Sequence, residues 1–239
     1  MIAIIPARGG SKRIPRKNIK LFMGIPAIVR TINITKESGI FDKILVSTED
    51  PEIARIANEA GAEILMRDEN LAGDHTTTVE VISNALDLLK DGNGNEPDYV
   101  CCIYPVTPTL TAERLKEAAD LIQSRDLDYV FTAKKFESSP DRAIKIGIHQ
   151  NSEMCNPAHL NTRTQDLPDY YHDAAMFYLG KSSAWRASKP ILHGEGQFIV
   201  LDKYETLDID DEEDWRFAEE LFRIRSQKAQ NIPVNKKHG

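Results

Sequence analysis

With 239 residues, 41% hydrophobic and 28% charged, the chain has the make-up of a globular protein large enough for one α/β domain with a modest appendage. Its formal charge of -7 argues against broad nucleic-acid or membrane-surface binding, both of which use basic surface. No stretch approaches the ~20 apolar residues of a membrane span, and the first apolar run is too short for a signal peptide, so a cytoplasmic location is expected. The cysteines, Cys101, Cys102 and Cys155, are too few for a disulfide framework and read as buried reduced thiols.

In chain order, the first expected strand is Ile2–Ile5. It runs straight into a loop from Pro6 to Asn18. Between Arg8 and Lys20 stand six cations (Arg8, Lys12, Arg13, Arg16, Lys17, Lys20) and no acid. Further strands are expected at Lys43–Thr48, Glu63–Met66, Tyr99–Tyr104 and Asp128–Ala133, which are apolar and rich in β-branched residues, as buried parallel strands are. Helices fill the intervals. Pro26 suits a first helical turn and Gly39 a helix stop. Asp50 suits an N-cap with Pro51 at the first helical position, and Gly61 closes that helix. Thr76 to Leu89 carries Val79, Ile82, Leu86 and Leu89 at helical spacing, with Asp74 or Thr76 as its cap, and breaks at Gly92-Asn93-Gly94. A fourth helix fits Ala112 to Gln123. This alternation implies a parallel sheet with right-handed crossovers and helices on both faces.

After about Lys135 the alternation loosens. Ala143–Ile148 and Ala174–Leu179 read as strands separated by a long polar stretch, of the kind that is usually functional or packed against a partner. Phe198–Asp202 is expected to return to the main sheet and Glu212–Ile224 to form a last helix. The expected division is a main α/β domain over 1–135 and 190–228, an insertion over 136–189, and a flexible tail over 229–239.

In open parallel sheets ligands bind beyond the carboxyl ends of the strands, and the basic loop leaves the first strand at that edge. A solvated basic loop is one reading of its charge. A cradle for polyphosphate is the other, with Gly9 and Gly10 bringing backbone N–H groups close to an anion, and the position of the loop favours it. The order Gly-Gly-Ser-Lys is neither the G-x-x-x-x-G-K-[ST] of a Walker loop nor G-x-G-x-x-G, so a nicotinamide or flavin cofactor is poorly supported. Near the other end, Glu205–Asp214 holds seven acids and no cation. Most suit a helix start, with Asp210 and Glu213 as a capping-box-like pair. Asp208 lies ahead of that helix. On an extended segment Asp208 and Asp210 share one face, and two carboxylates facing a triphosphate suit Mg2+.

The motifs IPARGGSKRIPRKN, VSTED, DHTT, RTQDLP and DIDDEEDW, in this order from Ile2 to about Phe222, resemble the CMP-acylneuraminate synthetase family of cytidylyltransferases. YHDAAMFY, and YPVTP combined with RTQDLP, are similar to its pseudaminic acid branch. The resemblance implies a Rossmann-like nucleotidyltransferase domain with a small dimerisation and sugar-binding insertion. It implies attack by the anomeric hydroxyl of a nonulosonic acid on the α-phosphorus of CTP, release of pyrophosphate, dependence on Mg2+, and a homodimer. A CMP-N-acylneuraminate or CMP-legionaminate synthetase is the first alternative, and a CMP-Kdo synthetase and a non-catalytic nucleotide-binding regulator are the more distant rival readings.

The same resemblance implies the site. Arg8, Gly9, Gly10, Ser11, Lys12, Lys17 and Asn18 would form the nucleotide loop, with Lys17, Arg8 and Lys12 catalytic. Arg67, Thr76, Tyr104 and Pro105 would approach the nucleotide, although Tyr104 and Val106 replace the Gln and Thr common in sialic acid enzymes. His75 is read as incidental. Arg142, Arg163, Gln165, His172, Asp173 and Tyr178 would meet the sugar, and an ion pair with Asp141 or Asp166 is the structural alternative for the arginines. Ala175-Met176 stands where the pseudaminic acid branch has Gly-Gln. Asp208 and Asp210 would hold the metal.

Overall fold

The computed structural model describes residues 1–71, 73, 76–90, 96–205 and 207–230. Asp74, His75, Gly92-Asn93-Gly94 and residues 231–239 of the expected tail lie outside them. The elements follow in the order β1 (Ile2–Pro6), β2 (Leu21–Phe22), β3 (Ile25–Pro26), α1 (Ala27–Ser38), β4 (Lys43–Thr48), α2 (Pro51–Glu59), β5 (Glu63–Met66), α3 (Thr78–Lys90) and β6 (Tyr99–Ile103). Then come α4 (Ala112–Ser124), β7 (Tyr129–Lys135), β8 (Ile144–Ile146), β9 (Ser152–Met154), β10 (Tyr171–Lys181), α5 (Ser182–Arg186), β11 (Gly196–Leu201) and α6 (Glu212–Gln230).

Local chemistry accounts for several boundaries. Asp50 caps α2 by accepting from the Glu52 and Ile53 amides, with Pro51 at the first helical position, as its sequence requires. Gly39 ends α1 in the left-handed conformation. Pro26 sits one place earlier than expected. It precedes α1 and pairs in the β2–β3 hairpin, whose Met23-Gly24 turn has both φ angles positive, as two-residue hairpins favour. The cap of α3 is Thr77, whose amide donates to Glu80 (2.6 Å) while its hydroxyl accepts from the Glu80 amide (3.3 Å), rather than Thr76.

Seven strands make one sheet in the order β11-β7-β10-β6-β1-β4-β5. β1, β4, β5 and β6 run parallel, as does β11 with β7, and β10 alone opposes its neighbours β6 and β7. β10 corrects the expected division of the chain: residues 171–181, placed in the insertion, form an interior strand of the main sheet. The chain re-enters the sheet from the carboxyl ends of β6 and β7, and its apolar run from Met176 to Gly180 is buried there. Only residues 136–170 stand outside as an arm, which includes the two-stranded β8–β9 ribbon.

Side chains alternate across the sheet, so each strand feeds two cores. Ala3, Ile5, Val46, Cys101 and Ile103 pack beneath α1, α2 and α4, while Ile2, Ile4, Leu45, Val100 and Cys102 pack beneath α3 and α5. Cys101 and Cys102 therefore point to opposite faces, and burial raises the pKa of both thiols. Cys155, expected to be buried, is exposed because the arm around it has little core. A third cluster, Ile14, Phe22, Ala27, Ile209, Trp215 and Ala218, joins the basic loop, the β2–β3 hairpin and α6.

β1 is followed by β4 and β5 on one side, after which the chain crosses back to place β6 on the other. This reversal beside β1 is the point where an open α/β sheet leaves a crevice beyond its carboxyl ends. The basic loop after β1 and the Tyr104–Pro108 turn after β6 both emerge there.

Candidate active site

A cavity of about 490 Å³ occupies that crevice, and Arg8, Ser11, Lys12, Arg13, Lys17 and Asn18 line its loop side. Arg67, Thr76, Thr78, Tyr104 and Pro105 face it from other elements, and Asp210 closes one end. Lys17, Asn18, Tyr104 and Pro105 also border a second cavity of about 240 Å³, bounded by Val106, Ala174, Ala175, Met176 and Asp208. The two spaces share a wall.

The basic loop is fixed by its backbone as well as its charges. The Asn18 side chain, itself buried, donates to the Arg8 carbonyl (2.8 Å), and the Gly9 amide donates to Glu49 (2.6 Å). Ile14 anchors the loop in the third cluster. The paired glycines do different work. A Cβ on Gly9 would lie 2.5 Å from an Asp50 carboxylate oxygen, so glycine is demanded by close packing, whereas Gly10 has open space around it. The expectation that both amides face an anion thus gives way at Gly9, whose N–H donates to Glu49 of the acid pair Glu49-Asp50. That pair lies behind the loop because β1 and β4 are neighbours and the Ala7 amide continues their ladder to Ser47.

The charge imbalance of the loop is matched from two sides. Arg16 pairs with Asp50 and Glu52, and its hydrogen bond to Asp50 holds that carboxyl below its usual pKa. Arg13 pairs with Asp210 (2.6 Å), and Lys20 pairs with Glu212. Lys17 reaches between the acidic residues and donates to the Ile209 carbonyl. Burial lowers its pKa, opposed by Asp210 and Asp208. Ile209 is buried in the third cluster with Ile14, so apolar packing sets the spacing between the cationic loop and the two aspartates.

The start of α6 differs from the expected Asp210–Glu213 pair by one position. Asp211 accepts from the Glu213 (2.8 Å) and Asp214 (3.0 Å) amides, and Asp214 accepts from the Asp210 (2.8 Å) and Asp211 (3.1 Å) amides. This reciprocal box satisfies the helix end and relieves the Asp208 and Asp210 side chains of capping. Among the described residues no group of three or more His, Cys, Asp or Glu side chains is arranged around a metal position. Asp210 borders the cationic cavity, where Arg13 pairs with it, and Asp208 borders the second cavity. Carboxylates at these places fit Mg2+, which takes one or two carboxylates and completes its shell with phosphate oxygens and water.

Arg67 is buried, with Nε (3.1 Å) and Nη2 (2.9 Å) on one oxygen of Glu49. The Tyr104 hydroxyl lies 2.9 Å from that of Thr78, and its ring meets Tyr178 edge to face. Tyr178 is buried beneath Tyr104 and donates to Asp173, whose second oxygen accepts from the Ala175 amide (2.9 Å). Asp173 thereby shapes a break in the β10 register that carries Ala174–Met176 into the wall of the second cavity. Ala175 adopts φ 48°, a conformation glycine takes without strain.

The remaining predicted sugar residues lie elsewhere on this chain. His172 packs against Phe136, and Arg142 donates to the Thr162 carbonyl rather than pairing with Asp141. Arg163 pairs with Asp166 (2.7 Å), the structural alternative for that residue. Gln165 lines a separate groove on the arm. Sequence reasoning passed over Glu49 and Arg13 as site residues and took Asp50 only as a cap. The available signal was VSTED itself, two acids at the carboxyl end of the strand that had to neighbour β1.

Comparison with known proteins adds the family. The cytidylyltransferase family model matches residues 2–231. The chain is 38% identical to the pseudaminic acid cytidylyltransferase of Campylobacter jejuni, over 95% of this chain and 98% of that one. It is 30% identical to N-acylneuraminate cytidylyltransferase A of Danio rerio, over 91% of this chain and 50% of that one. Among solved structures, a CMP:2-keto-3-deoxy-manno-octonic acid synthetase complexed with CTP superposes with a TM-score of 0.67 at 13% identity, covering 95% of this chain and 98% of that one. At that identity the likeness speaks for the fold alone.

Proposed function

The chain belongs to the cytidylyltransferase family, and on that premise we propose that it transfers CMP from CTP to the anomeric hydroxyl of a nonulosonic acid, most closely pseudaminic acid. The observation that carries this reading is the paired cavity: a cationic chamber of triphosphate character shares Lys17, Asn18, Tyr104 and Pro105 with a smaller chamber walled by β10. The nucleotide would fill the first and the sugar acid the second, so that the bond to be made spans their common wall.

In this scheme the sugar hydroxyl oxygen forms a bond to the α-phosphorus of CTP as the bond to the bridging oxygen of pyrophosphate breaks, and the hydroxyl proton is released to solvent. Arg8 and Lys12 would hold phosphate oxygens and take up charge developing on the leaving pyrophosphate. Lys17, fixed by the Ile209 carbonyl, would face the transferred phosphoryl group. Such transfer depends on positioned positive charge more than on covalent chemistry by the protein. Asp208 and Asp210 would hold Mg2+, which, when bound, neutralises phosphate charge and polarises the α-phosphoryl group. The arm residues Arg142, Arg163 and Gln165 would reach a sugar acid across a homodimer, from one protomer into its partner's second cavity. The exposed isoleucines of the arm support that assembly.

The test is a panel of pseudaminic, legionaminic, N-acetylneuraminic and Kdo acids with CTP and Mg2+, read by mass spectrometry. A CMP-nonulosonate and pyrophosphate with at least one of the first three is the expected result. CMP-Kdo alone, or no pyrophosphate from any acid, overturns the reading.

A further inference from the structure

Glu49 touches two walls of the larger cavity. One of its carboxylate oxygens accepts from the Gly9 amide (2.6 Å), and the other accepts from Nε (3.1 Å) and Nη2 (2.9 Å) of Arg67. The Arg67 side chain is 3% exposed and that of Glu49 is 15% exposed. Burying such a pair is seldom a net gain in stability, because desolvation offsets most of the attraction. Stability alone is a poor reason for it here. Its position is more informative: Arg67 lines the cavity, and Gly9 lies between Arg8 and Ser11, which also line it.

The backbone makes this a rigid link. The Arg67 amide continues the β4–β5 ladder to the Thr48 carbonyl (3.1 Å), so the stem of Arg67 is fixed one residue from Glu49 along the same edge. Gly9 is confined by Asp50, which would collide with any Cβ there. One carboxylate therefore fixes the approach of the glycine loop to β4 and the direction of a guanidinium that lines the same cavity. Its charge is balanced by Arg67, so it does so without presenting an uncompensated anion to an incoming triphosphate.

We propose that Glu49 is a positioning residue for the nucleotide, tying the glycine loop to Arg67 so that both meet CTP in one fixed geometry. This assignment rests on the reading of the larger cavity as the CTP site. Glu49 itself touches no substrate in it. Misplacement of such groups by about 1 Å is enough to cost on the order of 100-fold in efficiency.

The experiment compares wild type, Glu49→Gln, Arg67→Ala and the double variant by steady-state kinetics for each substrate, by calorimetric CTP binding, and by thermal melting. Glu49→Gln keeps an acceptor for Gly9 but removes the charge that orients Arg67. It is expected to raise the KM for CTP about 10-fold or more, to leave the KM for the sugar acid within about 2-fold, and to keep a cooperative melt. Because the two residues act as one unit, the double variant should bind CTP no more weakly than Arg67→Ala alone. A folded Glu49→Gln protein with wild-type KM for CTP overturns the proposal. So do additive losses in the double variant, or equal rises in both KM values together with a lowered melting temperature. Should Glu49→Gln not fold, Glu49→Gln/Arg67→Met removes both buried charges at once; the KM of Arg67→Ala is then expected for CTP, and a wild-type KM overturns the role. Wild-type protein that binds no CTP in calorimetry overturns the reading of the cavity itself, a result distinct from an unchanged Glu49→Gln.

Discussion

The nucleotide end and the arm are built from the same chain by opposite means. At the nucleotide end a loop of six cations is enclosed by acids on two sides, anchored by Ile14 and pinned through its own backbone by Asn18 and Glu49. In the arm, Ile144, Ile146 and Ile148 are 70%, 76% and 94% exposed, and Leu160 is 65% exposed. Polar groups are satisfied within the chain at the first site, and apolar groups are left facing water at the second. A site for a small polyanion is complete when its donors are fixed. Exposed apolar side chains gathered on one ribbon would be buried by a second surface, which is the basis of the proposed homodimer.

Breaking the nucleotide end should have the largest consequence. Lys17→Ala is expected to lower kcat about 100- to 1,000-fold at saturating CTP, the usual cost of one well-placed electrostatic stabiliser, with an unchanged circular dichroism spectrum. A kcat within a few-fold of wild type would remove Lys17 from the transferred phosphoryl group. Asp208→Asn should come next, with a rate loss on the order of 100-fold and a Mg2+ titration displaced to higher concentration. An unchanged titration would separate Asp208 from the metal.

The arm sharpens the contrast from the other side. Ile146→Lys is expected to shift sedimentation from dimer to monomer, since charging an apolar interface costs about 1–3 kcal/mol per buried side chain, while CTP binding stays within about 2-fold. A dimer of unaltered strength would show that the ribbon is not the interface. In the same region Arg163→Ala should raise the KM for the sugar acid about 10-fold with little change for CTP. Equal changes in both would indicate a role in assembly instead.

A smaller effect tests the environment of Lys17. Because burial lowers its pKa, its charge is lost at a pH below the ordinary lysine value of 10.5, and kcat/KM should fall on the alkaline side earlier than a solvated lysine would dictate. Lys17→Arg, which stays charged, should move that limb upward even if its maximum is lower. A limb that does not move assigns it to another group.

Sequence patterns alone determined much of this protein. Short apolar runs punctuated by Asp50-Pro51 and Gly39 marked the main strands and helices, because caps and side-chain alternation act between near neighbours, whereas β2, β3, β9 and α5 were not expected. The basic loop and the Asp208–Asp210 pair were visible for the same reason, as dense local charge next to a strand and a helix start. Only the tertiary structure decided which neighbours those charges would have. That β10 enters antiparallel between β6 and β7, carrying Ala175 and Met176 to the second cavity, depends on long-range strand pairing that a single sequence does not encode locally. Glu49 and Gly9 are 40 positions apart, and so are joined only because β1 and β4 pair in register. Ile14 and Ile209 belong to one small core, which no local pattern specifies, and that shared core holds the two halves of the charge pattern together.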